Sequence, residues 1–178
     1  PWLRVIASAT PRGFSANNNL GLRYFRDRTA ASHVLLLNND ATVAPDFFQK
    51  LSEAVARRPD GGLFTGTIYH DPERSRVWYA GGRINPLRAL VTHQTELPAR
   101  PDPRETAFVC GCAMLIARPV MQAVGLLPEC FDPIYCEDAD YSLRARSAGF
   151  ALIYAPGALV YHKVGATVGK TSASPRTT

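Results

Sequence analysis

No apolar run in this chain reaches the ~18 residues that a membrane-spanning helix needs, and the best candidate, residues 108–117, has only strand length. Cysteine is scarce. Cys110, Cys112, Cys130 and Cys136 are separated by one, seventeen and five residues, which lacks the two close pairs of a structural zinc site. Buried, reduced thiols acting as small hydrophobes are the expectation, and they favour a cytoplasmic protein. On one strand Cys110 and Cys112 would share a face. Dense runs of lysine or arginine are also missing. The 20 cations exceed the 15 acids, but nothing resembles a nucleic-acid footprint. Lys163, Lys170 and Arg176 lie in an acid-free end, so part of the excess is a basic tail. Near an anionic bilayer such a tail adds ~1 kcal/mol per cation, which leaves peripheral membrane association open. No signal peptide is visible. The chain begins at Pro1 and runs almost directly into an apolar strand, which reads as a truncated start.

What is present suits one packed domain: 178 residues, 46% apolar and 20% charged. The expected boundaries are a domain over 1–164 and a flexible basic tail over 165–178. Residues 3–6 read as a strand, and 15–28 as a helix capped by Ser15. Val34-Leu-Leu-Leu37 reads as a strand buried on both faces. Pro45 suits the first turn of a helix reaching about Arg58, whose Phe47, Phe48, Leu51 and Val55 recur at helical spacing. Strands are expected over 63–69, 76–84 and 108–117. Residues 85–105, with four prolines, read as a long loop. Helices over 119–124 and 138–148 end at Gly125 and Gly149. Two short strands, 150–154 and 158–162, follow. The strand–helix alternation of the first sixty residues argues an α/β domain with a mostly parallel sheet, in which ligands bind beyond the carboxyl ends of the strands.

Asp40 lies at such an end, after His33-Val-Leu-Leu-Leu-Asn-Asn-Asp40. Hard cations take oxygen ligands, often one or two carboxylates plus substrate phosphates, and Asn38 and Asn39 can hydrogen-bond a ribose or phosphate. The same tripeptide also suits an Asx turn. A second acidic group, Glu137-Asp138-Ala139-Asp140, opens a helix. It can cap that helix and complement its dipole, with Asp140 and Arg144 as an i,i+4 pair, or it can supply a general base to an acceptor hydroxyl. His162 ends an apolar strand and can ligate a metal as a neutral imidazole, or simply be a satisfied histidine. His33, His70 and His93 have no comparable context. The segment Gly13-Phe-Ser-Ala-Asn-Asn-Asn-Leu-Gly21 opens a helix whose amino end can receive a phosphate, although neither standard phosphate-loop pattern is present.

In order and spacing these pieces resemble the family 2 inverting glycosyltransferases of the GT-A fold. The matching stretches include Gly13 to Gly21, Val34 to Asp40 with Pro45-Asp-Phe-Phe48, Gly111-Cys-Ala-Met-Leu-Ile-Ala-Arg118, and Val124-Gly-Leu-Leu-Pro-Glu-Cys-Phe-Asp132. Glu137-Asp-Ala-Asp-Tyr-Ser-Leu-Arg144 and Val160-Tyr-His162 complete the set, which spans about residues 3 to 168. The branch looks like rhamnosyltransferases of bacterial cell-surface polysaccharide synthesis.

The resemblance implies a GT-A-type, Rossmann-like three-layer α/β sandwich that lacks the family's first strand–helix unit. It implies a divalent cation, Mg2+ or Mn2+, at Asp40 and His162, and a nucleotide-diphosphate sugar donor beside Asn18, Asn38, Asn39 and Gly111. It implies Asp138 as the base, with Glu137 and Arg144 on the acceptor or phosphate side. The acceptor would be a saccharide or a lipid-linked saccharide, at the inner face of the cell membrane. Loop 85–105 would help select it. Two other readings use the same residues: a metal-dependent phosphohydrolase, disfavoured by the single carboxylate of Asn38-Asn39-Asp40, and a sugar- or nucleotide-binding module without turnover.

Overall fold

A computed structural model describes residues 3–10, 12–88, 90–133 and 135–163; the expected tail over 165–178 lies outside them. The elements in chain order are α1 (Phe14–Arg28), β1 (His33–Leu37), β2 (Ala41–Val43), α2 (Phe47–Arg57), β3 (Gly61–His70), β4 (Val77–Tyr79), β5 (Gly82–Asn85), β6 (Leu90–His93), β7 (Arg104–Glu105), β8 (Ala113–Ala117), α3 (Arg118–Val124), α4 (Glu137–Ser147) and β9 (Ala151–His162). Five strands form the central sheet in the order β1-β8-β3-β9-β2, with β4 added to β3 and β7 to β9, while β5 and β6 form a separate hairpin.

Successive residues of the central strands face opposite ways, as the two-residue period of a strand requires. Leu63 and Leu152 pack with Leu22, Met114, Ile116, Val120 and Tyr141 under α1, α3 and α4. Phe64 and Ile153 pack with Phe47, Leu51, Tyr79, Phe108 and Tyr154 on the side of α2 and the hairpin. The result is the expected three-layer α/β sandwich.

The sheet is mixed rather than mostly parallel. The β3–β9 ladder is parallel, but β8 is antiparallel to both β1 and β3, and β2 is antiparallel to β9. Strands β1, β3 and β9 therefore do run in one direction, as the early alternation suggested; β8 slots between two of them the other way. Strand β1 forms one edge of the sheet, with Val34 and Leu36 packed against one core, Leu35 against the other, and Leu37 exposed. Residues 3–6 form no strand, and Leu3, Val5 and Ile6 are exposed. The expected strand over 76–84 is broken at Gly81, whose φ of +105° favours glycine. The expected loop over 85–105 contains β6, paired with β5. Residues 151–162 form one strand rather than two. Its register against β3 shifts at Gly66, where a Cβ would strike the carbonyl oxygen of Ala158. Phe48 is exposed although it fits the apolar spacing of α2.

Helix α1 begins at Phe14, and Ser15 is not its cap. The Asp132 carboxylate, far along the chain, accepts from the backbone N–H groups of Ser15 (2.9 Å) and Ala16 (3.3 Å). A Cβ on Gly13 would collide with that carboxylate. The amino end of α1 therefore already holds an anion and is not a phosphate receiver. At the other end, the Arg118 guanidinium donates to the carbonyls of Ala31 (2.9 Å) and Thr29 (2.9 Å) and stacks over Phe25. Replacing Asp132 with alanine is expected to lower stability by about 1–2 kcal/mol, read as a lower urea midpoint with an unchanged slope.

Candidate active site

The chain leaves β1 at Leu37, turns through Asn38-Asn39-Asp40, and re-enters the sheet as β2. Pairing of β2 with the end of β9 sets Ala41 opposite His162, and the Lys163 N–H donates to the Asp40 carbonyl (3.0 Å). That register brings Asp40 Oδ1 to 3.1 Å from His162 Nε2. His162 is buried and held below the usual histidine range, first by desolvation, with Asp40 opposing the shift. It is therefore neutral at pH 7, and its other nitrogen, Nδ1, is buried without a partner.

The second acidic group arrives on α4. Tyr135 and Cys136, both non-glycine residues with positive φ (92° and 72°), turn the chain into that helix. Such residues are strained by roughly 1–2 kcal/mol each. Asp138 Oδ2 accepts from the Gly111 N–H (2.9 Å) and Oδ1 from the Ala139 N–H (2.8 Å). Burial raises its pKa, and these backbone bonds and His93 pull the other way without cancelling the shift. Glu137 is buried, its pKa also raised by desolvation, and its Oε2 has no partner.

Both groups open onto one cavity of about 390 Å3. Its wall includes Asn38, Asp40, Gly111, Glu137, Asp138 and His162, together with Trp78, His93, Phe108 and Tyr135. It contains three carboxylates and, among the described residues, no lysine or arginine. A diphosphate entering such a cavity must bring or meet a counter-charge. The Asp40–His162 pair fits a divalent cation on three counts. One hard oxygen and one neutral imidazole nitrogen suit magnesium or manganese. Their 3.1 Å separation is that of neighbouring ligands around one ion with bonds of about 2.1 Å. The cavity also leaves the remaining positions to phosphate oxygens and water. No cluster of three or more His, Cys, Asp or Glu side chains suited to a metal occurs among the described residues, so the protein would contribute only part of the shell.

Three residues named from sequence lie elsewhere. Asn18 is turned onto its own helix, its Nδ2 donating to the Phe14 carbonyl (2.9 Å). Arg144 donates to Asp140 Oδ2 (2.8 Å) and to the carbonyls of Val124 (2.7 Å) and Leu126 (3.2 Å); it ties α4 to the α3 exit and does not reach the cavity. Asn39 is exposed at the turn and is not part of the cavity wall. Conversely, Trp78 and His93 line the cavity although nothing in their sequence context singled them out. Trp78 comes from β4, placed by its pairing with β3, and His93 from β6, placed by the hairpin pairing with β5.

All four thiols are free, but Cys130 and Cys136 are exposed rather than buried. Cys110 and Cys112 sit in the turn before β8, not on the strand. Burial pushes Cys112 up to about 12 and Cys110 well above the usual thiol range.

The family model described as "Glycosyltransferase like family 2" matches residues 2–175. The chain belongs to this family, and its fold is the GT-A fold. A solved structure of GalNAc-T7 with UDP, GalNAc and Mn2+ superposes with a TM-score of 0.69 at 15% identity, over 87% of this chain and 31% of that one. N-acetylglucosaminyl-diphospho-decaprenol L-rhamnosyltransferase of Mycobacterium tuberculosis is 25% identical over 155 residues, 79% of this chain and 50% of that protein. The uncharacterized protein y4gI of Sinorhizobium fredii is 30% identical over 177 residues, 94% of this chain and 19% of that protein. The chain thus spans half or less of the curated relatives it matches.

Two predictions follow from the burial pattern. A thiol reagent is expected to titrate Cys130 and Cys136 in the native protein, and Cys110 and Cys112 only after denaturation. Glu137→Gln is expected to raise the melting temperature at pH 7. Because the folded-state pKa of Glu137 is raised, the folded protein binds more protons above the unfolded value of 4.5, so stability falls as pH rises through that window. The gain from glutamine should therefore shrink as pH is lowered toward 4.5, and a gain independent of pH would contradict the assignment.

Proposed function

We propose that this chain carries the catalytic core of a cation-assisted, inverting glycosyltransferase, which moves a hexosyl or deoxyhexosyl group from a nucleotide-diphosphate sugar to a hydroxyl of a saccharide or lipid-linked acceptor. The observation that carries this reading is one acidic cavity whose lining brings together the Asp40–His162 pair and the desolvated Asp138 carboxylate. When bound at Asp40 and His162, a magnesium or manganese ion would supply Lewis-acid neutralisation of the leaving diphosphate. Asn38 and the Gly111 loop line the donor side. Asp138 is the base. Its raised pKa and its two backbone donors hold an oriented carboxylate that takes the acceptor proton as the hydroxyl attacks the anomeric carbon from the side opposite the diphosphate. The configuration inverts, and no covalent intermediate on the protein is needed.

The rhamnosyltransferase relative supports a deoxyhexose donor and a lipid-linked acceptor; a role in bacterial cell-surface polysaccharide synthesis is part of the proposal. No helix among the described residues is long and apolar enough to cross a membrane. The proposed location is the cytoplasm, at the inner face of the cell membrane, with the basic tail over 165–178 assisting the catalytic domain over 1–164.

A thermal-shift panel of UDP, GDP and dTDP, with and without manganese, tests the donor site. One nucleotide is expected to stabilise the chain only with manganese, by ~2.7 kcal/mol at a hundred times its dissociation constant, and not at all in Asp40→Ala. Equal stabilisation without metal, or in Asp40→Ala, would count against the cation site. Asp138→Asn is expected to keep nucleotide binding while transfer falls ~10²–10⁴-fold.

A further inference from the structure

His93 closes the hairpin strand β6, opposite Gly82. Its ring is held on several sides. Trp78 lies edge-on at 4.5 Å between centroids, Tyr79 at 5.2 Å and Phe108 at 5.8 Å. Its Nδ1 lies 3.2 Å from the Trp78 carbonyl oxygen. A carbonyl only accepts, so Nδ1 carries the proton, and in a neutral ring Nε2 then holds the lone pair. Burial keeps the imidazole below the ordinary histidine range, against the opposing pull of Asp138. Among the described residues Nε2 has no hydrogen-bond partner, and it is not one of their fully buried, unpartnered atoms. It therefore meets open space, and the space beside His93 is the cavity that also holds Asp138. The Trp78 indole also packs against His162 (5.0 Å between centroids), so one ring braces both imidazoles of the cavity wall.

We propose that His93 and Asp138 together form the acceptor subsite: the reacting hydroxyl of a pyranoside points to the Asp138 carboxylate, while a second hydroxyl of the same sugar donates to His93 Nε2. This deepens, and rests on, the transferase reading. An anion gains nothing from a lone pair beside a carboxylate. A neutral donor of hydrogen bonds does, and a sugar diol presents two. His93 is thus a binding and positioning residue and takes no proton in the reaction. The rim around it is aromatic (Trp78, Phe108), which suits the C–H face of a sugar ring.

The test uses the full chain labelled with nitrogen-15 histidine, in which His93→Gln assigns one of the four imidazoles. The expected result is a neutral His93 with its proton on Nδ1, and a saturable perturbation of its Nε2 signal by at least one of the methyl pyranosides of glucose, galactose, mannose, rhamnose and N-acetylglucosamine. His93→Phe should bind that glycoside roughly tenfold more weakly, the loss of about one hydrogen bond. His93→Gln, which retains an acceptor, should lose less. A proton on Nε2, or no response of the Nε2 signal to any glycoside, would overturn the subsite. A ring that serves only as packing would leave glycoside binding the same in His93→Phe and wild type, which would overturn it too. If a glycoside perturbs His93 while no nucleotide binds with manganese, a sugar site at His93 stands, but the transferase reading falls and its role as an acceptor subsite falls with it.

Discussion

The structure depends most on the parallel ladder between β3 and β9. These are its two longest strands, and every other part of the site is hung from them. Strand β9 crosses the sheet from the exit of α4 to the cavity, pairing with β3 throughout and with β7 and β2 along its other edge. Its last residue is His162, so the ladder carries a histidine to the mouth of the cavity and the β2 pairing then places Asp40 against it. The bulge at Gly66 keeps the ladder continuous past Pro156, which has no N–H to donate. A larger residue at Gly66 would meet the Ala158 carbonyl and shift the far half of β9, His162 included.

The other half of the site is held in a less comfortable state. Asp138 and Glu137 are desolvated carboxylates, Glu137 Oε2 and His162 Nδ1 are buried without partners, and two residues before α4 adopt left-handed backbone. Each feature works against stability. These features lie together around one cavity. Ser15 Oγ and Thr65 Oγ1 are also buried without partners, outside the cavity wall, but desolvated carboxylates and strained backbone gathered at one cavity are characteristic of a site arranged for a ligand rather than for the fold.

Much of this was legible from sequence because the informative signals were local. Asp40 follows an apolar strand, Asp138 opens a helix ended by Gly149, and His162 ends a strand; their order carried the family resemblance. What was not legible depended on long-range pairing. Strand direction is invisible to periodicity, so β8 could not be placed between β1 and β3. Asn18 looked available because its bond to the Phe14 carbonyl exists only once the helix forms. Arg144 looked like a phosphate or acceptor ligand because the α3 exit carbonyls that take its N–H groups are twenty residues away. His93 stood in a proline-rich stretch read as loop; only its pairing with Gly82 turns it toward Asp138. Asp132 was quoted for its place in a motif, but its role as the α1 cap needs a contact across the domain.

The charge pattern of the cavity links these observations to chemistry. An arginine or lysine clamp for a diphosphate, set in so small a space, would also stabilise the charged form of Asp138 and lower its pKa. A weaker base would result. Here no such cation lines the cavity among the described residues, Arg144 is tied away on the far side of α4, and the amino end of α1 is already filled by Asp132. In the proposed function, counter-charge for the donor is a cation held by Asp40 and His162. Under the proposed function, the Asp138 carboxylate is oriented by the Gly111 and Ala139 N–H groups and raised in pKa by burial, with no basic side chain of the cavity wall to reverse that shift among the described residues.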